Sequence, residues 1–274
     1  MNLGRFFKRH VLIGLLGILV IAGQLITSAN AADDQTTIKI GTIEGAESDV
    51  WDVAKKVAQQ QGLNLDIVHY SDYAIPNEAL NSGEIDANAF QHKPYLEEQI
   101  NQRGYKLSVV GYTVLYPIGI YSHKIKDIKE LNDGAKVGVP NDPTNEARAL
   151  RLLASLNLIK LRDPSDIQAT KYDIVENHKK LDIQELDAGM LGRAIDDFDI
   201  VVVNTNWALT TKLDPEKDAI YWESAQNNPY DNVIVVRTSD INKPWVKKLV
   251  AAYNSEPVRA EIKRIFGATA KTSW

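Results

Sequence analysis

The chain has 274 residues, with 31 lysines and arginines against 36 aspartates and glutamates, a net charge of −5 and no cysteine. An acidic chain without a basic run is a poor candidate for binding nucleic acid. The lack of cysteine excludes a disulfide, a thiol nucleophile and a cysteine-rich metal site.

Residues 1–31 have the pattern of a secretory signal peptide. A basic start precedes the apolar run 11–23, and Ala29–Ala31 has the small-x-small form of a cleavage site. The run is shorter than the roughly 20 apolar residues of a membrane-spanning helix, and an uncleaved anchor is the alternative. We therefore expect cleavage near Ala31 and a periplasmic location, which argues against a cytosolic cofactor such as NAD or ATP.

The next part of the chain alternates short apolar strands with helices. Gly62, Gly83 and Gly104 are expected to end helices, and Pro76 and Pro94 to begin them. The predicted strands are 38–43, 65–70, 87–90 and 107–113, and the predicted helices are 47–61, 76–83 and 94–103. Alternation of this kind predicts a largely parallel sheet covered by helices.

The pattern changes near residue 115, where we expect an extended crossover into a second lobe. Asp142 is expected to cap a helix with Pro143 in its first turn. Further predicted strands are 136–139, 181–186, 200–204 and 230–238, and further predicted helices are 142–157, one from 188, 243–253 and 256–266. We expect one lobe from 32–115 with 231–274 and the other from 116–230, joined by two extended hinge crossovers.

Aromatic residues and a histidine are concentrated in the loop after the predicted strand 87–90. Phe90, His92 and Tyr95 can form the wall of an apolar slot, and Tyr73 adds to the aromatic density. Aromatic residues near a loop pack in a core more often than against a ligand. A methionine thioether contacts aromatic rings favourably, but these residue types allow leucine or phenylalanine equally well.

A second candidate site is the loop that leads into the helix capped by Asp142. A helix N-terminus suits an anion, and Arg148 can offer two parallel hydrogen bonds to a carboxylate. Asn145 lies three residues earlier on the same helix face. The alternative is that Arg148 pairs with Glu146 or another surface acid, since exposed ion pairs are common.

Two asparagines lie where an α/β protein binds ligands. Asn204 ends an apolar strand, and Asn232 follows an expected crossover. An asparagine side chain both donates and accepts hydrogen bonds, although a role in turns is the alternative. The histidines do not lie at metal-ligand spacing, and no catalytic or nucleotide-binding motif occurs. We therefore expect no metal, no cofactor and no enzymatic activity.

Seven stretches together resemble one known family. They are 76–80, 86–96, 104–107, 116–118, 139–145, 204–205 and 229–232. The chain is similar to the methionine-binding proteins of bacterial ABC importers, the NlpA-type lipoproteins, over essentially all of residues 32–274. The resemblance implies a two-lobed periplasmic-binding-protein fold of the type II-like class. Each lobe would be a mixed sheet flanked by helices, and the lobes would close over methionine.

The resemblance also implies a set of ligand-binding residues. These are Tyr73, Phe90, His92, Tyr95, Asn145, Arg148, Asn204 and Asn232. Arg148 would bind the ligand carboxylate, with Asn145 beside it. Asn232 and Asn204, or Asn206 in place of the latter, would bond the amino-acid backbone groups. The four remaining residues would surround the thioether side chain.

The implied partners are methionine, L or D, and the permease of an ABC importer with its ATPase. We expect a monomer that binds no nucleic acid. The family is usually lipid-anchored through a cysteine, and this chain has none, so we expect no stable membrane anchor. The alternatives are the same fold with another apolar amino acid or a short peptide, a periplasmic hydrolase of amino-acid derivatives, and a non-transport role such as adhesion.

Overall fold

The structure, a computed structural model, describes residues 36–274. The predicted signal segment 1–31 lies outside the described residues. Residues 36–274 belong to one compact unit. None of the helices described in this range combines the length and the apolar character that crossing a bilayer requires.

Residues 36–274 form thirteen strands and nine α-helices. In chain order, the strands are β1 (Thr36–Ile43), β2 (Leu63–Tyr70), β3 (Ala87–Asn88), β4 (Leu107–Leu115), β5 (Gly119–Tyr121), β6 (Lys136–Pro140), β7 (Lys160–Leu161), β8 (Ile174–Glu176), β9 (Asp182–Leu186), β10 (Ile200–Val203), β11 (Ala219–Trp222), β12 (Asp231–Arg237) and β13 (Lys271–Thr272). The helices are α1 (Ala46–Gln60), α2 (Pro76–Ser82), α3 (Lys93–Arg103), α4 (Pro143–Ser155), α5 (Ala188–Leu191), α6 (Thr205–Thr210), α7 (Pro215–Asp218), α8 (Pro244–Tyr253) and α9 (Glu256–Phe266).

Two main sheets form the centres of two lobes. The sheet of the first lobe has six strands in the order β13-β4-β12-β3-β1-β2, and that of the second lobe has five in the order β11-β5-β10-β6-β9. The chain leaves the first sheet after β4 and returns to it with β12. Segments 116–118 and 223–230 therefore connect the lobes. The predicted two-lobed α/β fold with mixed sheets is confirmed.

The prediction of largely parallel sheets from strand–helix alternation is wrong for five of the nine pairings in the two main sheets, one of which is the antiparallel pair of β4 and β13. Strand β1 is parallel to β2 and β3, and β6 is parallel to β9 and β10. Strand β12 runs antiparallel to β3 and β4, and β5 runs antiparallel to β10 and β11. Helical crossovers make successive strands parallel, whereas β5 and β12 enter their sheets from the other lobe and in the opposite direction.

Glycines end the first three helices, as predicted. Gly83 and Gly104 cap α2 and α3 in the left-handed conformation with φ of 87° and 71°. Gly62 has φ of 70° and lies two residues after the end of α1. A residue without a side chain adopts this conformation at little cost, so the chain can turn sharply from each helix into the next strand.

Several elements are shorter than predicted or were not predicted. Strand β3 covers only Ala87–Asn88, so residues 89–92 run as extended chain between the lobes. Helix α5 has only four residues, Ala188–Leu191. The antiparallel pair of β7 and β8, the edge strand β11 and the short helix α6 have no clear periodicity in the sequence. Each is two to six residues long, which is too short for a repeating apolar pattern to show.

The buried apolar side chains of residues 36–274 form four clusters. One contains Leu80 and Leu96 in the first lobe, and the others are a first cluster in the same lobe, a second in the second lobe and a third between the lobes. In the first lobe, α1, α8 and α9 cover the sheet with side chains that include Trp51 and Leu249. In the second lobe, α4 buries Leu150 against the sheet. The third cluster joins Phe90 and Tyr95 to the second-lobe residues Val203 and Trp207, among others. This third cluster supports the candidate site on one side.

Candidate functional site

One cavity lies where the two lobes meet, and all eight predicted ligand-binding residues line it. The other lining residues are Gln91, Tyr116, Thr205 and Asn206. The cavity volume is about 20 Å³. Pockets that hold small molecules usually measure several hundred cubic ångströms, so the lobes must separate for an amino acid to enter.

The first-lobe side of this cavity is an aromatic wall made of Tyr73, Phe90, His92 and Tyr95. The ring of Tyr73 lies 5.9 Å from that of Phe90 and 6.2 Å from that of Tyr95, and Phe90 meets Tyr95 edge-on at 6.0 Å. These separations are those that aromatic pairs prefer. The hydroxyl of Tyr95 donates to the backbone carbonyl of Tyr73 at 3.0 Å. The rings are therefore fixed in orientation by contacts with one another.

His92 is the polar member of the aromatic wall, and its hydrogen bonds define its tautomer. Its Nδ1 accepts from the backbone N–H of Tyr95 at 3.1 Å, which caps helix α3. The proton must therefore be on Nε2, which donates to Oδ1 of Asn145 at 3.2 Å. Burial, together with the charge of Arg148, lowers the pKa of His92 to about 3. The ring is neutral and links the two sides of the cavity.

A buried amide network behind the aromatic wall holds the loop that carries it. Nδ2 of Asn77 donates to Oε1 of Gln91 at 2.7 Å, and Nε2 of Gln91 donates back to Oδ1 of Asn77 at 2.6 Å. Nδ2 of Asn88 donates to the same Oδ1 at 3.0 Å, and its Oδ1 accepts from Gln91 at 3.1 Å. Buried polar groups with several partners make a rigid arrangement, so this network fixes the chain on either side of Phe90.

The second-lobe side of the cavity is a polar wall made of Asn145, Arg148, Asn204 and Asn206. Oδ1 of Asn145 accepts from His92 and from Nδ2 of Asn204, the latter at 2.9 Å. Nδ2 of Asn145 donates to the carboxylate of Asp142 at 3.0 Å. Because the oxygen and the nitrogen of its side-chain amide both form hydrogen bonds, Asn145 orients His92 and Asn204. Burial raises the pKa of Asp142, and the hydrogen bonds from Asn145 oppose that shift.

Asn204 and Asn206 each expose one unused polar atom to this buried region. Asn204 donates through Nδ2, which leaves its Oδ1 as an acceptor. Asn206 accepts a hydrogen bond from the hydroxyl of Tyr73 at 2.8 Å, which leaves its Nδ2 as a donor. Neither atom has a hydrogen-bond partner among residues 36–274. A buried polar group without a partner costs about 1–3 kcal/mol, so both atoms favour a polar ligand.

Arg148 is buried and holds a carboxylate that the sequence analysis did not identify. Its Nε lies 3.0 Å and 3.1 Å from the carboxylate oxygens of Glu223, and its Nη2 lies 2.5 Å from one of them. Nη2 also donates to the backbone carbonyl of Tyr116 at 2.7 Å, and the guanidinium lies 4.2 Å from the ring centre of Tyr230. Within residues 36–274, the hydrogen bonds of Arg148 come from Nε and Nη2. Nη1 therefore remains to bind a second acceptor.

The ion pair of Arg148 with an acid was the alternative interpretation of the sequence, and it is formed with Glu223 rather than Glu146. Glu146 instead accepts from the backbone N–H of Lys171 at 2.8 Å. Arg148 lines the cavity and makes the ion pair at the same time. It also contacts both lobe connections, through Tyr116 in one and through Glu223 and Tyr230 in the other.

Asn232, the second residue of β12, completes the cavity just after the second connection between the lobes. It forms a backbone bridge to His92, and the next residue, Val233, donates to the carbonyl of Gln91 at 3.0 Å. These contacts place the Asn232 side chain beside the aromatic wall. The sequence analysis missed Gln91, Thr205 and Glu223. Gln91 and Thr205 lie inside two of the resembling stretches, whereas Glu223 has no local signal because it is 75 residues from Arg148.

The arrangement has charged and amide groups at one end and aromatic rings at the other. A ligand carboxylate can accept from Nη1 of Arg148 and Nδ2 of Asn206, and an ammonium can donate to Oδ1 of Asn204. The rings suit an apolar side chain of moderate length. The cavity is thus complementary to a zwitterionic amino acid.

Known proteins that are similar to this chain in sequence and structure are binding proteins for small molecules. The chain is 47% identical over 272 residues to the D-methionine-binding lipoprotein MetQ of Salmonella typhi, covering 98% of each chain. A nutrient-binding protein from Burkholderia cenocepacia, solved bound to methionine, is 50% identical with a TM-score of 0.85, covering 86% of this chain and 100% of that one. A periplasmic substrate-binding protein of an ABC transporter from Coxiella burnetii is 47% identical with a TM-score of 0.82, again covering 86% and 100%.

The match to a family model covers almost all of the described residues. Residues 38–274 fit the model described as NlpA lipoprotein. This range includes both sheets, both lobe connections and every residue that lines the cavity. The chain belongs to the NlpA lipoprotein family.

Proposed function

We propose that this protein is a periplasmic receptor that captures methionine and delivers it to an ABC importer. The observation that carries the proposal is the pairing of unused buried polar atoms with an aromatic slot in one cavity. Oδ1 of Asn204 and Nδ2 of Asn206 are buried without partners among residues 36–274. The methionine-bound Burkholderia protein, at 50% identity, supports methionine as the amino acid.

The polar wall fixes the charged groups of the ligand in this proposal. The carboxylate accepts from Nη1 of Arg148 and from Nδ2 of Asn206, and the ammonium donates to Oδ1 of Asn204 and to the side chain of Asn232. Asn145 acts beside Arg148 by holding Asn204 in the required orientation. Hydrogen bonds to charged groups contribute about 1.5–3 kcal/mol each, so these contacts supply most of the affinity.

The aromatic wall selects the side chain of the ligand. Tyr73, Phe90 and Tyr95 surround the thioether, whose sulfur contacts aromatic rings favourably. His92 contributes an uncharged ring, because its low pKa keeps it neutral at physiological pH. A neutral ring avoids placing a second positive charge near Arg148. The slot therefore favours an apolar side chain over a charged one.

The architecture supports a delivery mechanism based on lobe movement. We assign one lobe to 32–115 with 231–274 and the other to 116–230, hinged at the two connections. Two-lobed receptors of this kind close around a ligand by hinge motion. The partners in this proposal are a membrane permease and its ATPase, and the receptor acts as a monomer. The chain has no cysteine to which a lipid could be attached.

Calorimetric titration of the refolded, ligand-stripped protein with L-methionine, D-methionine, leucine and glutamine tests the proposal. We expect saturable one-to-one binding of a methionine enantiomer, with leucine and glutamine much weaker. Stronger binding of leucine or of a short peptide would assign the same fold to another ligand. Turnover of a methionine ester or amide would instead support a hydrolase, and no binding by the folded protein would overturn the proposal.

A further inference from the structure

A second and larger cavity lies on the second lobe, away from the aromatic wall. Its volume is about 660 Å³. It is a groove between the second half of helix α4, strand β7, the end of strand β11 and the second lobe connection 223–230. The two cavities share one lining residue, Arg148, and the ring of Tyr230 lies between them against Arg148 and His92. The groove is therefore a separate space behind the polar wall.

The charges that line the groove favour an anion, although the chain as a whole is acidic. The lining holds three cations, Arg148, Arg151 and Lys160, against two carboxylates, Glu176 and Glu223. Arg148 pairs with Glu223, and Lys160 pairs with Glu176. A locally positive groove on a protein with a net charge of −5 attracts small anions.

Arg151 is the cation in this groove whose charge is not balanced. It is half-buried, and one of its Nη atoms donates to the hydroxyl of Tyr230 at 3.1 Å. Within residues 36–274 it forms no ion pair with a carboxylate, unlike its neighbour Arg148. A guanidinium presents five N–H donors in a planar fork that matches a carboxylate. Most of the donors of Arg151 are therefore open to an occupant of the groove.

The floor of the groove is apolar. Leu152, Ile159 and Leu161 are buried beneath it, and the ring of Tyr221 lines it while remaining 38% exposed. Small-molecule sites combine an apolar lining with a few polar groups that fix orientation. The combination of this floor with Arg151 at one end suits a molecule that has an anionic head and an apolar body.

The lobe connection 223–230, which lies opposite α4 across the groove, is held in shape by hydrogen bonds between its own residues. The backbone N–H of Gln226 donates to the hydroxyl of Ser224 at 3.1 Å, and Nδ2 of Asn228 donates to the carbonyl of Ser224 at 2.9 Å. The backbone N–H of Tyr230 donates to Oδ1 of Asn228 at 3.0 Å. These bonds make the wall a formed feature of the free protein, which reduces the entropy lost when a ligand binds.

We propose that this groove is a second ligand-binding site, for a small molecule with one carboxylate and an apolar body. The carboxylate binds the guanidinium of Arg151, and the body lies over Leu152, Ile159 and Leu161 against Tyr221. The volume fits a molecule between a single amino-acid derivative and a short peptide. A free ammonium is not required, which distinguishes this site from the cavity between the lobes.

N-acetyl-L-leucine is the probe for this site, because it has the carboxylate and the apolar body but no ammonium. Its neutral analogue, N-acetyl-L-leucinamide, is the matched control. In ¹H–¹⁵N NMR spectra of the labelled full chain, we expect saturable shifts at Nε of Arg151 and at the amides of Tyr221 and Asn227. The neutral analogue should bind about tenfold more weakly or worse, as expected for loss of a charge-assisted pair.

Arg151→Gln should abolish these shifts, and Arg103→Gln, at an exposed position on α3, should leave them unchanged. Tyr221→Ala, at an exposed position, should lower the affinity for N-acetyl-L-leucine without disturbing the fold. The proposal is overturned if the neutral analogue binds as well as the acid, or if Arg151→Gln retains the shifts. Probe shifts confined to the side-chain amides of Asn204 and Asn206 would place it in the cavity between the lobes and would also contradict the proposal.

Discussion

The aromatic wall and the polar wall face the same cavity, but they differ in how their polar atoms are used. In the aromatic wall, the hydroxyls of Tyr73 and Tyr95 and both ring nitrogens of His92 have hydrogen-bond partners. In the polar wall, Asn204 and Asn206 keep one buried atom each without a partner among residues 36–274. The polar atoms of the aromatic wall are thus all paired, whereas the polar wall keeps two atoms that we propose a ligand pairs with.

Under the proposed function, this difference gives separate tasks to the two lobes. A satisfied, rigid apolar surface discriminates by shape, and each apolar contact it makes is weak. Unpartnered buried groups and a guanidinium discriminate by charge, and each contact they make is strong. Substitutions in the polar wall should therefore change affinity for any amino acid, and substitutions in the aromatic wall should change which side chain is preferred.

Arg148→Ala should have the largest effect, because it removes the cation of the polar wall. We expect methionine binding to weaken by roughly 3–5 kcal/mol, which calorimetry would measure as near loss of binding. The control is Arg162→Ala, since the ion pair of Arg162 with Asp173 is at the surface and such pairs contribute about 0–1 kcal/mol. Affinity unchanged by Arg148→Ala would remove Arg148 from the site.

A double variant separates the binding role of Arg148 from its structural role. Arg148→Ala alone leaves the carboxylate of Glu223, whose side chain is 15% exposed, without its cation, so the Tm should fall. Adding Glu223→Gln should restore much of the Tm, because the amide is neutral, and should not restore methionine binding. Recovery of binding in the double variant would show that Arg148 acts only by neutralising Glu223.

His92 should make the stability of the protein depend on pH in a defined direction. Its pKa falls from 6.5 to about 3 in the fold, so between these values the unfolded chain binds a proton that the folded protein does not. The contribution of His92 to the free energy of unfolding is complete above about pH 6.5 and is lost as the pH falls towards 3. The loss amounts to roughly 3 kcal/mol at about pH 4.5. Denaturant titrations at about pH 7 and 4.5 should show this loss in the wild type.

The variant His92→Asn should lose much less stability than the wild type between about pH 7 and 4.5. It should keep the helix cap, since asparagine is a good N-cap residue. Burial raises the pKa of Glu47 to about 8, which gives a slope of opposite sign, but Glu47 contributes equally to both proteins and cancels in their difference. Equal acid sensitivity of the wild type and the variant would contradict a neutral, buried His92.

Asn204→Ala should have an intermediate effect, because it removes the proposed acceptor for the ammonium group. We expect methionine binding to weaken by about 1.5–3 kcal/mol. For 4-(methylthio)butanoate, which lacks the ammonium, wild type and variant should bind almost equally. Asn132→Ala, at an exposed position, should leave both ligands unaffected. A similar loss for both ligands would show that Asn204 does not act on the ammonium.

Phe90→Leu should have the smallest effect on affinity but should change selectivity. The sulfur–aromatic contact contributes about 0.3–1.5 kcal/mol, so the preference for methionine over norleucine should shrink by that amount. Asn204→Ala should leave the same ratio unchanged, which tests directly whether the two walls have separate tasks. Competition titrations with the two ligands give the ratio. A ratio that changes in Asn204→Ala and not in Phe90→Leu would reverse the assignment.

Local signals in the sequence were sufficient for the ends of α2 and α3 and for the start of α4. Gly83 and Gly104 end helices because of their own conformational freedom, and Asp142 caps α4 with its own carboxylate. These features depend on neighbours a few residues apart, which a sequence pattern records. The eight candidate residues, which the family resemblance implied, lie around one cavity because each is in a loop or near the adjoining end of a strand or helix.

Long-range features were not predictable from the same patterns. Glu223 meets Arg148 only because the second lobe connection passes α4, and strand β12 runs antiparallel because it arrives from the other lobe. Neither fact has a signature in nearby residues. The orientation of the Asn204 and Asn206 amides also depends on partners far along the chain, Asn145 and Tyr73.

A crystal structure of the protein in complex with methionine is the most direct test of the two-wall account. We expect the carboxylate within hydrogen-bond distance of Nη1 of Arg148, the ammonium at Oδ1 of Asn204, and the sulfur among the rings of Tyr73, Phe90 and Tyr95. A ligand bound in the opposite direction, with its thioether against the polar wall, would contradict the account.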